Sequence, residues 1–155
     1  WDASVHPVYT LETIVGWVKD TGARRAVITG GEPCMYELDG LTARLRQEGI
    51  ATYLETSGAY TISGTWDWIC VSPKKFKPVL PASLAKANEL KVVVFNRHDL
   101  SWAQEQASGT SAGTRLFLQP EYSVRDKVLP EIIAFVKRHP EWTISLQTHK
   151  FMQIP

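Results

Sequence analysis

Strand-like apolar runs alternating with helical stretches constrain this 155-residue chain more than any other feature. Leu11, Ile14, Val15 and Val18 fall at helical spacing behind Thr10 as N-cap, and Gly22 stands just past the end. The run 25–29 (RAVIT) reads as a buried strand, and Leu38, Leu41 and Leu45 mark a second helix closed by Gly49. Segments 51–56, 66–72, 89–95, 115–120 and 142–148 also read as strands. Before the last of them, Leu129, Ile132, Ile133 and Val136 share one helical face; Lys137, Arg138 and His139 fill the final turn, and Pro140 ends it. Segment 107–114 reads as a flexible loop and 73–83 as irregular, with no internal repeat. The alternation predicts one α/β domain over 1–155, a mostly parallel sheet covered by helices.

Composition narrows the function classes. With 44% hydrophobic residues the chain can bury a core. Lys+Arg 17 against Asp+Glu 16 leaves a formal charge of +1, and no basic helix or interleaved aromatic and basic stripe occurs, so neither nucleic acid nor a membrane surface is expected as partner. No segment has transmembrane length, and no signal-peptide pattern opens the chain. Cys34 and Cys70 are the only cysteines, too few for a disulfide scaffold, and a reduced, cytoplasmic protein is the expectation. The chain begins at Trp1, which suggests that residues are missing upstream.

The stretch AVITGGEPCM (26–35) starts as a strand and then places two glycines, a glutamate and a proline behind its apolar run. Glycine permits positive φ and close approach of backbone to a ligand, and proline fixes the exit. In parallel α/β folds, ligands bind at the C-terminal edge of the sheet. Here the runs terminate in Thr29-Gly30-Gly31-Glu32, Glu55-Thr56-Ser57-Gly58, Ser72-Pro73-Lys74, Gln119-Pro120-Glu121 and Gln147-Thr148-His149-Lys150. One such end needs no function, because any strand leaves the core through polar residues. Five at one edge, mixing Glu, Lys, His and Gln, point to a binding site.

The motifs TGGEP, ETSG, WICVSPK, NELKVVV, LQPE and WTISLQTHKFMQIP, in this order, resemble 7-carboxy-7-deazaguanine synthases of the radical S-adenosylmethionine superfamily. GGEP alone suggests only the superfamily; the terminal SLQTHK…IP with VSPK and NELK is more specific, and the match spans most of 24–155. The resemblance implies a partial, modified (β/α) barrel and a lyase in which a 4Fe–4S cluster reductively cleaves S-adenosylmethionine. The 5′-deoxyadenosyl radical then takes hydrogen from 6-carboxy-5,6,7,8-tetrahydropterin. Ring contraction with loss of ammonia, supported by Mg²⁺, gives 7-carboxy-7-deazaguanine, a precursor of deazapurine nucleosides such as queuosine. Such chemistry belongs to the cofactor, while the protein binds, orients and shields. A homodimer served by an external electron donor is implied as well.

The chain departs from that pattern at the cluster. Three spaced cysteine thiolates normally hold it, and no such motif exists here. Cys70 lies in an apolar strand and reads as a small buried hydrophobe. WDASVHP resembles the segment just after the cluster loop in some relatives, so the expectation is a chain lacking the first strand, the cluster loop and the magnesium ligand, and inactive as it stands. No catalytic or metal-binding residue is assigned within it.

The resemblance assigns four positions to substrate and eight to S-adenosylmethionine. Thr29, Glu55 and His149 match substrate contacts, and Pro155 matches a terminal proline whose α-carboxylate serves the substrate. Gly31, Ser72, Pro73, Lys74, Gln119, Pro120, Glu121 and Tyr122 match cofactor contacts, although Glu121 and Tyr122 differ from the usual residues. Glu55 offers acceptors to a ring edge carrying N–H donors, and Lys74 an ammonium to a carboxylate. Read without the family, Glu55 is equally a strand-end surface carboxylate, His149 a cap on a terminal turn, and Pro155 a solvated end. Lys75 and Lys77 read as a solvated face, and Glu12, Trp17 and Trp102 as structural. Two rivals stay open: another small radical enzyme of the glycyl-radical activase type, and a cluster-free module that binds a pterin, purine or S-adenosylmethionine without chemistry.

Overall fold

The computed structural model describes residues 7–154. Six strands, β1 (Arg25–Ile28), β2 (Ala51–Thr56), β3 (Trp68–Val71), β4 (Glu89–Val94), β5 (Arg115–Pro120) and β6 (Trp142–Ile144), form one sheet in the order of the sequence. Every neighbouring pair is parallel. The connections carry α1 (Leu11–Asp20, before β1), α2 (Asp39–Gln47), α3 (Pro81–Lys86), α4 (His98–Ala107) and α5 (Arg125–Arg138), and α6 (Thr148–Phe151) follows β6. Since successive crossovers step the same way and parallel crossovers share one hand, the helices gather on one face of the sheet. The other face is left for a site.

Alternation along the strands divides these faces. Leu54, Val71, Leu90, Val92, Val94 and Leu118 are nearly or fully buried and form the main core with Leu100, Ala103, Val128, Ile132 and Phe135 from α4 and α5. A second cluster of Val15, Leu38, Leu41, Leu45 and Ile50 joins α1 and α2 to the start of the sheet. Local signals work as expected at several ends. The Thr10 hydroxyl accepts from the Thr13 amide at 3.2 Å, and Gly49 takes φ 70° behind α2, the left-handed conformation that closes a helix.

Several expectations need correction. β1 is an outer strand, and Val27 on it is 60% exposed, so 25–29 is not a buried run. The strand expected over 66–72 begins only at Trp68, because the Asp67 carboxylate accepts from the Thr52 amide at 2.8 Å and brackets the strand's start. The strand expected over 142–148 ends at Ile144. Continuing its register with β5 would set Leu146 opposite Pro120, which has no amide hydrogen to give. α5 buries Val128, Ile132 and Phe135, leaving Ile133 39% exposed, so the inward stripe is turned by about one residue from that expected. The region 73–83 is irregular only up to Leu80, and α4 adds a helix beyond those that the periodicity predicts.

Candidate functional site

The polar ends of the strands converge. A cavity of about 550 Å³ opens at the C-terminal edge of the sheet, lined by Thr29, Gly31 and Glu32 after β1, by Glu55, Thr56 and Ser57 at the end of β2, and by Ser72 and Lys74 after β3. Lys91 and Val93 of β4, Gln119 and Glu121 from β5, and Gln147 and Lys150 around α6 complete the wall, with Tyr60, Phe76 and Lys77 at the loops. Three carboxylates thus face four ammonium groups in one space.

The first corner is the turn after β1. Gly30 and Gly31 take φ 88° and 52°, left-handed conformations costly for residues with a Cβ. This reversal returns Glu32 toward β2. One Glu32 oxygen accepts from the Thr56 hydroxyl at 2.5 Å and the Cys34 amide at 3.1 Å; the other accepts from the Ser57 amide at 2.8 Å and from the Ser57 hydroxyl. Burial alone would raise this carboxyl, but the Ser57 and Thr56 bonds outweigh it and hold it below its ordinary value. Pro33 and Cys34, both buried, continue as a single 3₁₀ turn to Met35.

The cavity floor is built differently. Lys91 Nζ donates to the two Glu55 oxygens at 2.9 and 2.8 Å. Burial opposes the Lys91 charge, yet the bonds to the Glu55 carboxylate and its charge prevail and push its pKa up. Lys74 shows the reverse: burial first, then the neighbouring Lys91 charge, pull its pKa down. Among the described residues its side-chain partner is Ser72 Oγ at 3.1 Å, which leaves the ammonium able to meet an anion. At the far wall the Glu121 carboxylate accepts from the Ser123 amide at 2.9 Å and from the Ser123 hydroxyl.

Of the positions singled out in the sequence, the fold brings Thr29, Gly31, Glu55, Ser72, Lys74, Gln119 and Glu121 into this one cavity. Pro73 is buried beside it and lines an adjoining apolar cavity with Phe76, Phe95 and Trp102. Pro120 is buried. Tyr122 packs edge-on against Phe151 at 6.2 Å and under Lys150 at 4.6 Å, bracing the turn that carries Lys150 into the cavity. His149 is exposed at the start of α6 and is not among the lining residues. Pro155 lies outside the described residues, as do residues 1–6. Lys75 is exposed, as a solvated face would have it, while its ammonium pairs with buried Asp99; Lys77 is not solvated in that way, since it sits over the Tyr60 ring at 3.6 Å and lines the cavity. Lys91 escaped the sequence reading, although Glu89-Leu90-Lys91-Val92-Val93-Val94 puts a lysine on the face opposite to three fully buried residues.

Among the described residues no three His, Cys, Asp or Glu side chains gather into a metal site. Cys34 and Cys70 are free, buried, and pushed by burial away from the thiolate form. The iron–sulfur cluster and magnesium ion implied by the resemblance therefore do not fit ligands among these residues. No helix described is long and apolar enough to cross a membrane.

A one-faced parallel sheet with a polar cavity at its C-terminal edge makes this an α/β fold with a ligand site at its strand ends, and likeness to a solved structure makes it one of the radical S-adenosylmethionine type. The crystal structure of QueE from Escherichia coli superposes with a TM-score of 0.80 at 31% identity, over 90% of this chain and 64% of that one. The 7-carboxy-7-deazaguanine synthase of Flavobacterium psychrophilum is 42% identical over 155 residues, the whole of this chain and 73% of the relative. That of Synechocystis is 39% identical over 99% of this chain and 74% of the relative. No protein-family model matches the chain. On these likenesses the chain belongs to the 7-carboxy-7-deazaguanine synthase family.

Proposed function

We propose that the protein carrying this chain converts 6-carboxy-5,6,7,8-tetrahydropterin into 7-carboxy-7-deazaguanine with loss of ammonia. The observation that carries this reading is the meeting of Thr29, Gly31, Glu55, Ser72, Lys74, Gln119 and Glu121 in one cavity of a chain belonging to that family. A pterin's ring edge presents N–H donors, and the Glu55 carboxylate offers acceptors to them; the Thr29 hydroxyl and the Gln147 amide supply further polar contacts. Phe76 and Tyr60 give the bicyclic ring apolar surface and displace water.

S-adenosylmethionine fits the opposite part of the donor set. Its carboxylate suits the Lys74 ammonium beside Ser72, and the left-handed Gly31 backbone lets a methionine chain approach closely. When bound and reduced, S-adenosylmethionine supplies the radical that starts the reaction; this chain's residues hold substrate and cofactor side by side and keep water from them. The cluster and magnesium ligands belong to residues other than those described. A homodimer in the cytoplasm, reduced by an external donor and feeding deazapurine nucleosides such as queuosine, completes the proposal on the strength of the family likeness.

Anaerobically reconstituted full-length protein, given the pterin and S-adenosylmethionine, should release 7-carboxy-7-deazaguanine and ammonia in equal amounts. Cleavage of S-adenosylmethionine without that product would assign the site to another radical reaction. Binding with no cleavage would make it a module.

A further inference from the structure

Strand β4 uses its two faces for different purposes. Leu90, Val92 and Val94 are 0% exposed in the core, while Glu89, Lys91 and Val93 lie half-buried on the cavity side. Lys91 does not pair with a neighbour on the adjacent strand. Its partner Glu55 belongs to β2, and β3 runs between them: Glu55 is in register with Cys70, and Cys70 with Glu89. Adjacent strands are about 4.8 Å apart, so the Lys91 and Glu55 side chains must together span β3 to meet. Cys70 lies on the same face of β3 and is 2% exposed.

A pair placed this way is more than a surface ion pair. Its side chains are 19% exposed at Lys91 and 33% at Glu55, too sheltered for water to replace either partner freely. Apolar residues of similar size would serve the sheet equally well, since a sheltered ion pair is seldom worth more than the hydrophobic alternative. The pair does, however, fix a carboxylate. Two bonds from one ammonium set the Glu55 side chain, and a carboxylate's four or so lone-pair positions leave acceptor capacity on both oxygens.

We propose that Lys91 is a positioning residue for substrate: it fixes the Glu55 carboxylate so that the cavity accepts a ring edge carrying adjacent N–H donors and rejects one that presents an acceptor there. The inference rests on the pterin reading of the cavity. Lys91 acts through Glu55 and touches no reacting atom. Discrimination follows because an acceptor placed against a fixed carboxylate leaves both groups unpaired, whereas a mobile carboxylate can turn away.

The test uses full-length protein at equal cluster content, with the pterin and its 2-oxo analogue, 6-carboxy-tetrahydrolumazine, as probes. In Lys91→Met the pterin should bind roughly ten- to a hundredfold more weakly, and most of the preference for pterin over lumazine should vanish. Lys91→Arg should recover the preference, because a guanidinium can hold the same carboxylate with two bonds. The double variant Glu55→Gln, Lys91→Met separates positioning from folding. It should regain the thermal stability lost by Lys91→Met, as a neutral pair replaces an unpaired charge, yet bind pterin no better than Glu55→Gln alone. An unchanged pterin preference in Lys91→Met overturns the proposal, as does a double variant that regains both stability and preference. If wild-type protein binds no pterin, the reading of the cavity fails; the stability cycle then still decides whether Lys91 and Glu55 are coupled, and additive effects there refute the link by themselves.

Discussion

Two glutamates face the same cavity and are held in opposite ways. At the corner after β1, Glu32 accepts hydrogen bonds from Cys34, Thr56 and Ser57, and so ties the glycine turn to the end of β2. At the floor, Glu55 is held by the single ammonium of Lys91. Each region also encloses a cysteine, Cys34 in the corner and Cys70 in the floor, and both are buried. A charged residue at a strand end thus serves either the fold or a ligand according to how much of its hydrogen-bonding capacity the chain itself fills. Glu32 is largely committed to the fold, whereas Glu55 keeps capacity for a guest.

The most drastic test concerns the cysteines, one in each region. Residues 1–155, expressed alone and put through anaerobic iron–sulfur reconstitution, should form no stable 4Fe–4S cluster and cleave no S-adenosylmethionine, because two buried thiols cannot supply three thiolates. A stoichiometric cluster signal that responds to S-adenosylmethionine would contradict this.

Next in size is the corner itself. Glu32→Ala strips partners from Thr56, Ser57 and Cys34 at once, and the full-length protein should lose about 2–4 kcal/mol in chemical denaturation. An unchanged midpoint would place Glu32 with Glu55, among groups that the fold does not need.

A smaller, reversible effect separates the two regions by pH. The Glu32 carboxyl is held below its ordinary 4.5 in the folded state, despite burial, by the Ser57 and Thr56 bonds; its contribution is present above 4.5 and lost as pH falls through the folded value. Lys91 is held above 10.5, since the bonds to Glu55 and its charge outweigh burial; its contribution is present below 10.5 and lost as pH rises through the folded value. Stability measured against pH should therefore lose its acid dependence in part in Glu32→Gln and its alkaline dependence in part in Lys91→Met. An acid limb unchanged in Glu32→Gln, or an alkaline limb unchanged in Lys91→Met, would contradict the assignment for that region.

The contrast also explains what the sequence could reveal. Alternation of apolar runs and helix ends marked by Thr10 and Gly49 made a parallel α/β sheet legible, and polar strand ends located the cavity edge. Which strand lies outermost depends on pairing, so the exposure of Val27 was not legible from its apolar run. The early end of β6 depends on Pro120 across the ladder. Helix α4 was hidden because one of its inward positions is Asp99, a buried carboxylate that pairs with Lys75 and accepts from the Phe95 amide at 2.6 Å. Periodicity of apolar residues does not register a charge in the core. The same hidden charge gives Lys75, itself exposed, a partner that its sequence neighbours do not show. Lys91 sits inside a strand instead of at its end, and its meaning emerges only when β2 and β4 are seen to flank β3.

The most direct test of the account is the affinity of full-length protein for 6-carboxy-5,6,7,8-tetrahydropterin, measured for wild type and Glu55→Gln at equal cluster content. Glutamine keeps the shape but turns one acceptor into a donor facing the donors of the pterin, and the expected loss is roughly 1.5–3 kcal/mol, with S-adenosylmethionine binding unchanged. Equal pterin affinity in the two proteins would contradict the account and return Glu55 to the status of an ordinary strand-end carboxylate.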